Sequence, residues 1–112
     1  MVPRLTGTVI EVFAALLRAG DDGAYGREIA DAAGLSKTTI YDVLIRLEHA
    51  GWALSEWENV DPRMEKRPRR RVYRLSASGR ETASRAVEAR VAALTGRDMK
   101  SDPAWRPGHA LS

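Results

Sequence analysis

The sequence predicts an α+β domain of three helices, a two-stranded hairpin and a final helix. Apolar residues recur at helical spacing in blocks before residue 51 and again after residue 76. Between these blocks the pattern shifts to short aromatic runs at 52–58 and 72–75, with partial alternation. Glycines at 20, 34 and 51 punctuate the helical blocks, and hydroxyl residues stand where caps are needed.

The first helix is capped by Thr6 or Thr8, whose hydroxyl accepts an N–H that the first turn leaves unpaired. Val9, Ile10, Phe13, Leu16 and Leu17 form its apolar face, and Gly20-Asp21-Asp22-Gly23 ends it. Tyr25 lies in a short extended piece, and a second helix covers 27–33 until Gly34 breaks it. Ser36 caps a third helix from 37 to about 50, with Ile40, Val43, Leu44 and Leu47 facing inward. Trp52, Leu54, Tyr73 and Leu75 belong to the expected core, whereas Trp57, near the strand end, reads equally as core or contact. Residues 59–71 are polar and hold Pro62 and Pro68, which predicts a loop between the strands. Ser76 caps the last helix, which runs to about Leu94 with a stripe of Ala83, Val87, Val91 and Leu94. From Gly96 the composition predicts a disordered tail. The expected organisation is a domain at 5–79, a dimerisation helix at 80–95 and a tail at 96–112.

Composition narrows the chemistry. The chain has 112 residues, 44% hydrophobic and 29% charged, which suits one soluble domain. The absence of cysteine excludes disulfides, thiolate zinc sites and thiol nucleophiles. The two histidines, His49 and His109, make a multi-histidine metal site implausible. There is no glycine-rich phosphate loop and no evident carboxylate pair, so neither an enzyme nor a cofactor is expected. The longest apolar stretch, 9–17, contains Glu11 and spans no bilayer. No basic-then-apolar leader stands at the start, and the expected compartment is the cytoplasm.

The net charge of +3 is mild, but the basic residues are bunched. Ala30, Gly34, Ile40 and Val43 fall at helix-turn-helix spacing: a small residue at the contact, a glycine for the turn, and apolar residues that pin the second helix. An ordinary helical hairpin with a glycine cap is the competing reading. The hairpin that follows favours a winged helix-turn-helix. In that fold the start of the second helix enters the major groove of DNA. The candidate contacts there are Ser36, Lys37, Thr38, Thr39 and Tyr41, with Ser36 chiefly a cap and Asp42 left unassigned. Between 63 and 74 the run Arg63, Lys66, Arg67, Arg69, Arg70, Arg71 and Arg74 holds one acid, Glu65. Arg67, Arg69, Arg70 and Arg71 are assigned to the phosphate backbone or a narrow minor groove. A solvated charged loop is the alternative, as is an arm that is unstructured before DNA binds. Arg74, inside a strand, has a structural ion pair as its alternative.

The segments Ala24-Tyr25-Gly26, Leu35-Ser36-Lys37-Thr38-Thr39-Ile40-Tyr41, Leu44-Ile45-Arg46-Leu47-Glu48 and Arg71-Val72-Tyr73-Arg74-Leu75-Ser76 with Gly79 resemble the PadR family of transcriptional regulators. The resemblance covers roughly residues 5–95. It implies a dimeric repressor of double-stranded DNA, often responsive to small molecules, with Tyr41 and the residues around Thr38 facing DNA. It also implies that the first and last helices form the dimer, which assigns Phe13, Ala83, Val87, Val91 and Leu94 to that interface. Packing of the Ala83 stripe on the first helix of the same chain is the alternative. A two-fold dimer sets its reading helices about 34 Å apart and predicts a palindromic operator. The last helix carries no aromatic residue between 77 and 95, so no effector is assigned. A winged helix used only for protein–protein contact is the rival function.

Overall fold

The computed structural model describes residues 3–101. In order they form α1 (Gly7–Ala19), a 3-10 turn (Gly20–Asp22), β1 (Ala24–Tyr25), α2 (Gly26–Ala33), α3 (Lys37–His49), β2 (Ala53–Trp57), α4 (Pro62–Glu65), β3 (Arg71–Leu75) and α5 (Ala77–Ser101). The strands make one antiparallel sheet in the order β1-β3-β2. Ala24 pairs with Tyr73, Ala53 with Leu75, and Trp57 with Arg71. This is a winged helix-turn-helix, and no described helix is long and apolar enough to cross a membrane.

Local chemistry explains the boundaries. The Thr6 hydroxyl accepts the Val9 N–H at 3.3 Å, so Thr6 rather than Thr8 caps α1. The Ser36 hydroxyl accepts the Thr39 N–H at 3.2 Å and starts α3. Gly34 sits at φ 70°, ψ 33°, a left-handed conformation that turns α2 into α3 and penalises a Cβ.

One core joins all layers. Val12, Phe13 and Leu16 of α1 meet Ile29 and Ala30 of α2, Ile40, Leu44 and Leu47 of α3, and Tyr73 and Leu75 of β3. Ala83 and Ala86 of α5 complete it, so the core crosses the expected boundary at residue 79. Two interface assignments are thereby corrected. Phe13 and Ala83 are both 0% exposed within one chain, because the small side of α5 lies directly on α1. The same packing is held at its edge by Arg90, which donates to the Gly7 carbonyl at 3.2 Å and pairs with Glu11 at 3.4 Å. Val91 and Leu94, farther along, are exposed.

Three further expectations change. Leu54 lies outside the core, exposed beside the Arg74–Glu56 ion pair, because alternation along β2 turns it away from Ala53. Residues 59–71 are not all loop: the Asp61 carboxylate accepts the Arg63 N–H at 2.9 Å and Pro62 stands at the first position, so one helical turn forms. The last helix does not stop at Leu94 but continues past Gly96 to Ser101. The rest of the expected tail, 102–112, lies outside the described residues.

Candidate nucleic-acid interface

The start of α3 presents Lys37, Thr38 and Tyr41 to solvent. Ser36 and Thr39 serve the helix itself. The Ser36 hydroxyl donates to Thr39 Oγ1 at 3.0 Å while accepting the Thr39 N–H, and Thr39 is half-buried. Asp42 pairs with Arg46 one turn on, at 3.1 Å.

Tyr41 is held in place from two sides. Its ring lies 6.5 Å from that of Tyr73, tilted by 56°. On the other side it rests on Gly26, where an added Cβ would stand 2.7 Å from the phenol oxygen and 2.8 Å from Cε1. Only glycine allows this approach without moving the ring. The preceding residue, Tyr25, donates its N–H to Glu28 Oε1 at 2.9 Å and so starts α2.

The wing is anchored by Glu58, a buried carboxylate just past the end of β2. Arg67 binds it through both terminal nitrogens, one of them at 3.3 Å. The Tyr25 phenol donates to it at 2.8 Å, and the Arg70 N–H donates at 2.9 Å. The hydrogen bond from Arg67 is the main cause that holds the Glu58 carboxyl down at about 2, against the opposing effect of burial. The same bonds push the Tyr25 phenol and the Arg67 guanidinium up. Arg67 therefore braces the wing, with its guanidinium paired to a buried carboxylate.

Three other wing cations, Arg69, Arg70 and Arg71, line a groove between the wing and α3. Arg70 lies over the Tyr25 ring, 4.9 Å from its centroid. Arg71 stacks on Trp57 at 5.2 Å and donates from Nε to the Ser55 hydroxyl at 2.9 Å, which in turn donates to Glu48 at 2.8 Å. Arg69 donates from Nε to the Val60 carbonyl at 3.0 Å. The groove encloses about 400 Å³. Its walls carry Arg27, Lys37, Arg69, Arg70 and Arg71, with Tyr25, Tyr41 and Trp57, and, among the described residues, no carboxylate. Such a surface suits a polyanion, since its walls carry guanidinium, ammonium and phenol groups.

Residues 21–85, from the turn after α1 into α5, match the transcriptional regulator PadR-like family. The chain belongs to this family. A search of curated proteins finds no match. Among solved structures, the PadR-like chain is similar to the PcaV transcriptional regulator of Streptomyces coelicolor, solved in complex with its natural ligand: TM-score 0.68, 23% identity, 88% of this chain and 64% of that one covered. It is similar to a MarR-family regulator of Rhodococcus sp. RHA1 at TM-score 0.65 and 24% identity, over 87% of this chain and 62% of that one. It is also similar to MepR of S. aureus in a complex with DNA, at TM-score 0.59 and 21% identity, over 85% of this chain and 68% of that one. The chain thus spans less than two thirds of the first two regulators, and at these identities the likeness shows the winged-helix fold.

In the PadR-like chain, then, Lys37, Tyr41, Arg69, Arg70 and Arg71 line one groove, with Thr38 exposed on the same helix turn. Ser36, Thr39 and Arg67 support it from behind. Three contributors escaped the sequence reading. Arg27 has no signal in isolation, since only the pairing of β1 with β3 brings it to the wing. Gly26 belongs to the Ala24-Tyr25-Gly26 segment, but its reason, the Tyr41 ring, is a long-range contact. Glu58 is an acid beside a basic run, and that imbalance was its one clue.

Proposed function

We propose that this DNA-binding transcriptional regulator is a sequence-specific repressor that acts as a homodimer on a palindromic operator. The observation that carries the reading is the groove itself: the exposed start of α3 and four wing or α2 arginines converge on one carboxylate-free surface. Thr38 takes a base edge in the major groove, and Lys37 and Tyr41 take phosphates beside the helix N-terminus. Arg69, Arg70 and Arg71 grip the flanking backbone or minor groove. Dimerisation rests on α5 beyond its contact with α1, where Val91 and Leu94 are exposed and Val87 is half-covered. The MepR neighbour was solved with DNA, which supports duplex binding by this fold, and the resemblance to the PadR family implies repression, in which a bound dimer would block polymerase.

The test uses a duplex selected by the full chain from a random library. Thr38→Ala is expected to weaken the selected duplex more than random duplex, whereas Arg70→Ala weakens both. Affinity falls steeply from about 50 to 200 mM salt as counterions are released. Equal loss on both DNAs for Thr38→Ala removes it from base readout, and a chain that selects no duplex overturns the function.

A further inference from the structure

We infer that Trp57 packs on the deoxyribose face of the DNA strand that the wing grips, the residue that sets where the wing meets the duplex. The inference rests on the DNA-binding reading above. Trp57 ends β2 in register with Arg71, and its side chain is 59% exposed. A single exposed apolar ring is ordinary on a protein surface. This one has a built setting. It is the wall shared by two concavities, the cationic groove beside α3 and an open cup of about 470 Å³ lined by Trp57, Pro62, Pro68 and Arg69. The cup is apolar but for one guanidinium, and both prolines stiffen its rim.

The indole is also held. The Glu48–Ser55–Arg71 chain of hydrogen bonds fixes the Arg71 guanidinium, which stacks on the ring. A flat apolar surface beside Arg69, and continuous with Arg70, Arg71 and Lys37, matches the outside of a DNA strand, in which a deoxyribose face lies next to a phosphate. The cup itself holds one cation, but Trp57 also lines the groove with its five, which an apolar protein partner would leave unpaired. Charge complementarity along that shared wall commits Trp57 to the polyanion.

The test uses the full chain and its selected duplex. Trp52 packs on Phe13 with ring centroids 5.9 Å apart, so it is shielded from the duplex. Duplex is expected to quench wild-type tryptophan emission, and Trp57→Phe to abolish the quench, which controls for Trp52 and Trp105. Trp57→Ala should bind about tenfold more weakly, and Trp57→Phe should recover most of that loss, because a phenyl face still covers the sugar. Hydroxyl-radical protection should shrink at the wing side in Trp57→Ala while the centre of the site stays protected. Wild-type affinity in a folded Trp57→Ala, or emission indifferent to duplex, overturns the inference and leaves DNA binding standing. A chain that binds no duplex overturns both.

Discussion

Replacing Gly26 by Ala separates the folding of this regulator from its use of Tyr41. The new Cβ would meet the Tyr41 ring at 2.7 Å, and ordinary contact begins at 3.4 Å, so the ring must retreat by about 0.7 Å. It has room to do so, since Tyr41 is 41% exposed. Displacing it costs about 0.5–1.5 kcal/mol in rotamer strain. The gain from Ala over Gly at a helix position is up to ~1 kcal/mol. These nearly cancel, and Tm is expected to stay within about 5 °C of wild type. DNA binding should not be spared. A phenol moved off its partner forfeits a hydrogen bond of about 1 kcal/mol. On the proposed two-fold site the loss counts twice, about 2 kcal/mol, roughly a thirtyfold loss in affinity. The assay is a double-mutant cycle by anisotropy titration with Tyr41→Ala. If Gly26 acts through the ring, Gly26→Ala is silent on binding once the ring is gone. Wild-type affinity in Gly26→Ala, or an undiminished loss in the Tyr41→Ala background, would refute the reasoning.

Glu58 gives the pH dependence. Its folded carboxyl lies at about 2 against an ordinary 4.5, so its contribution is complete above pH 4.5 and drains away as pH falls toward 2. Urea unfolding across that window should show a shallower acid slope in Glu58→Gln, and an identical slope would sink the assignment. Leu47, fully buried on α3, is expected to cost about 3 kcal/mol as Leu47→Ala, a Tm drop of roughly 12–20 °C in a thermal melt; a drop under about 4 °C contradicts the core described above. If the proposed dimer rests on α5, Val91→Glu with Leu94→Glu, both at exposed positions, should leave a monomer by sedimentation while Tm of the isolated domain holds. Retention of the dimer relocates the interface.

Helical periodicity, caps and turn glycines made the element order legible, because these are local features. Ser36 announces α3 through a hydrogen bond three residues away, and Gly34 announces the turn through its own φ. The reading weakened where a residue's role depends on distant partners. Phe13 and Ala83 have the composition of an interface, yet their burial depends on how α5 lies across α1. Leu54 shares its apolar character with Ala53, and only the pleat decides which of them faces inward. Arg67 is indistinguishable in sequence from Arg69 and Arg70. What singles it out is a carboxylate nine residues earlier that the hairpin folds back beneath it.

That carboxylate also decides what kind of wing this is. An arginine-rich segment that orders only on binding gives up several kcal/mol of its interaction energy to ordering. Here the ordering is done in advance. Glu58 ties together β2, Arg67, the Arg70 backbone and the Tyr25 phenol, and Asp61 caps the turn between them. Tyr25 is also the residue before α2, and Gly26 after it seats Tyr41 of α3. The wing and the start of α3 are thus joined through two adjacent residues. In the proposed docking, Arg70 and Tyr41 would meet the duplex at a fixed separation, and a basic sequence run that alone supplies only nonspecific attraction would become a register-setting clamp.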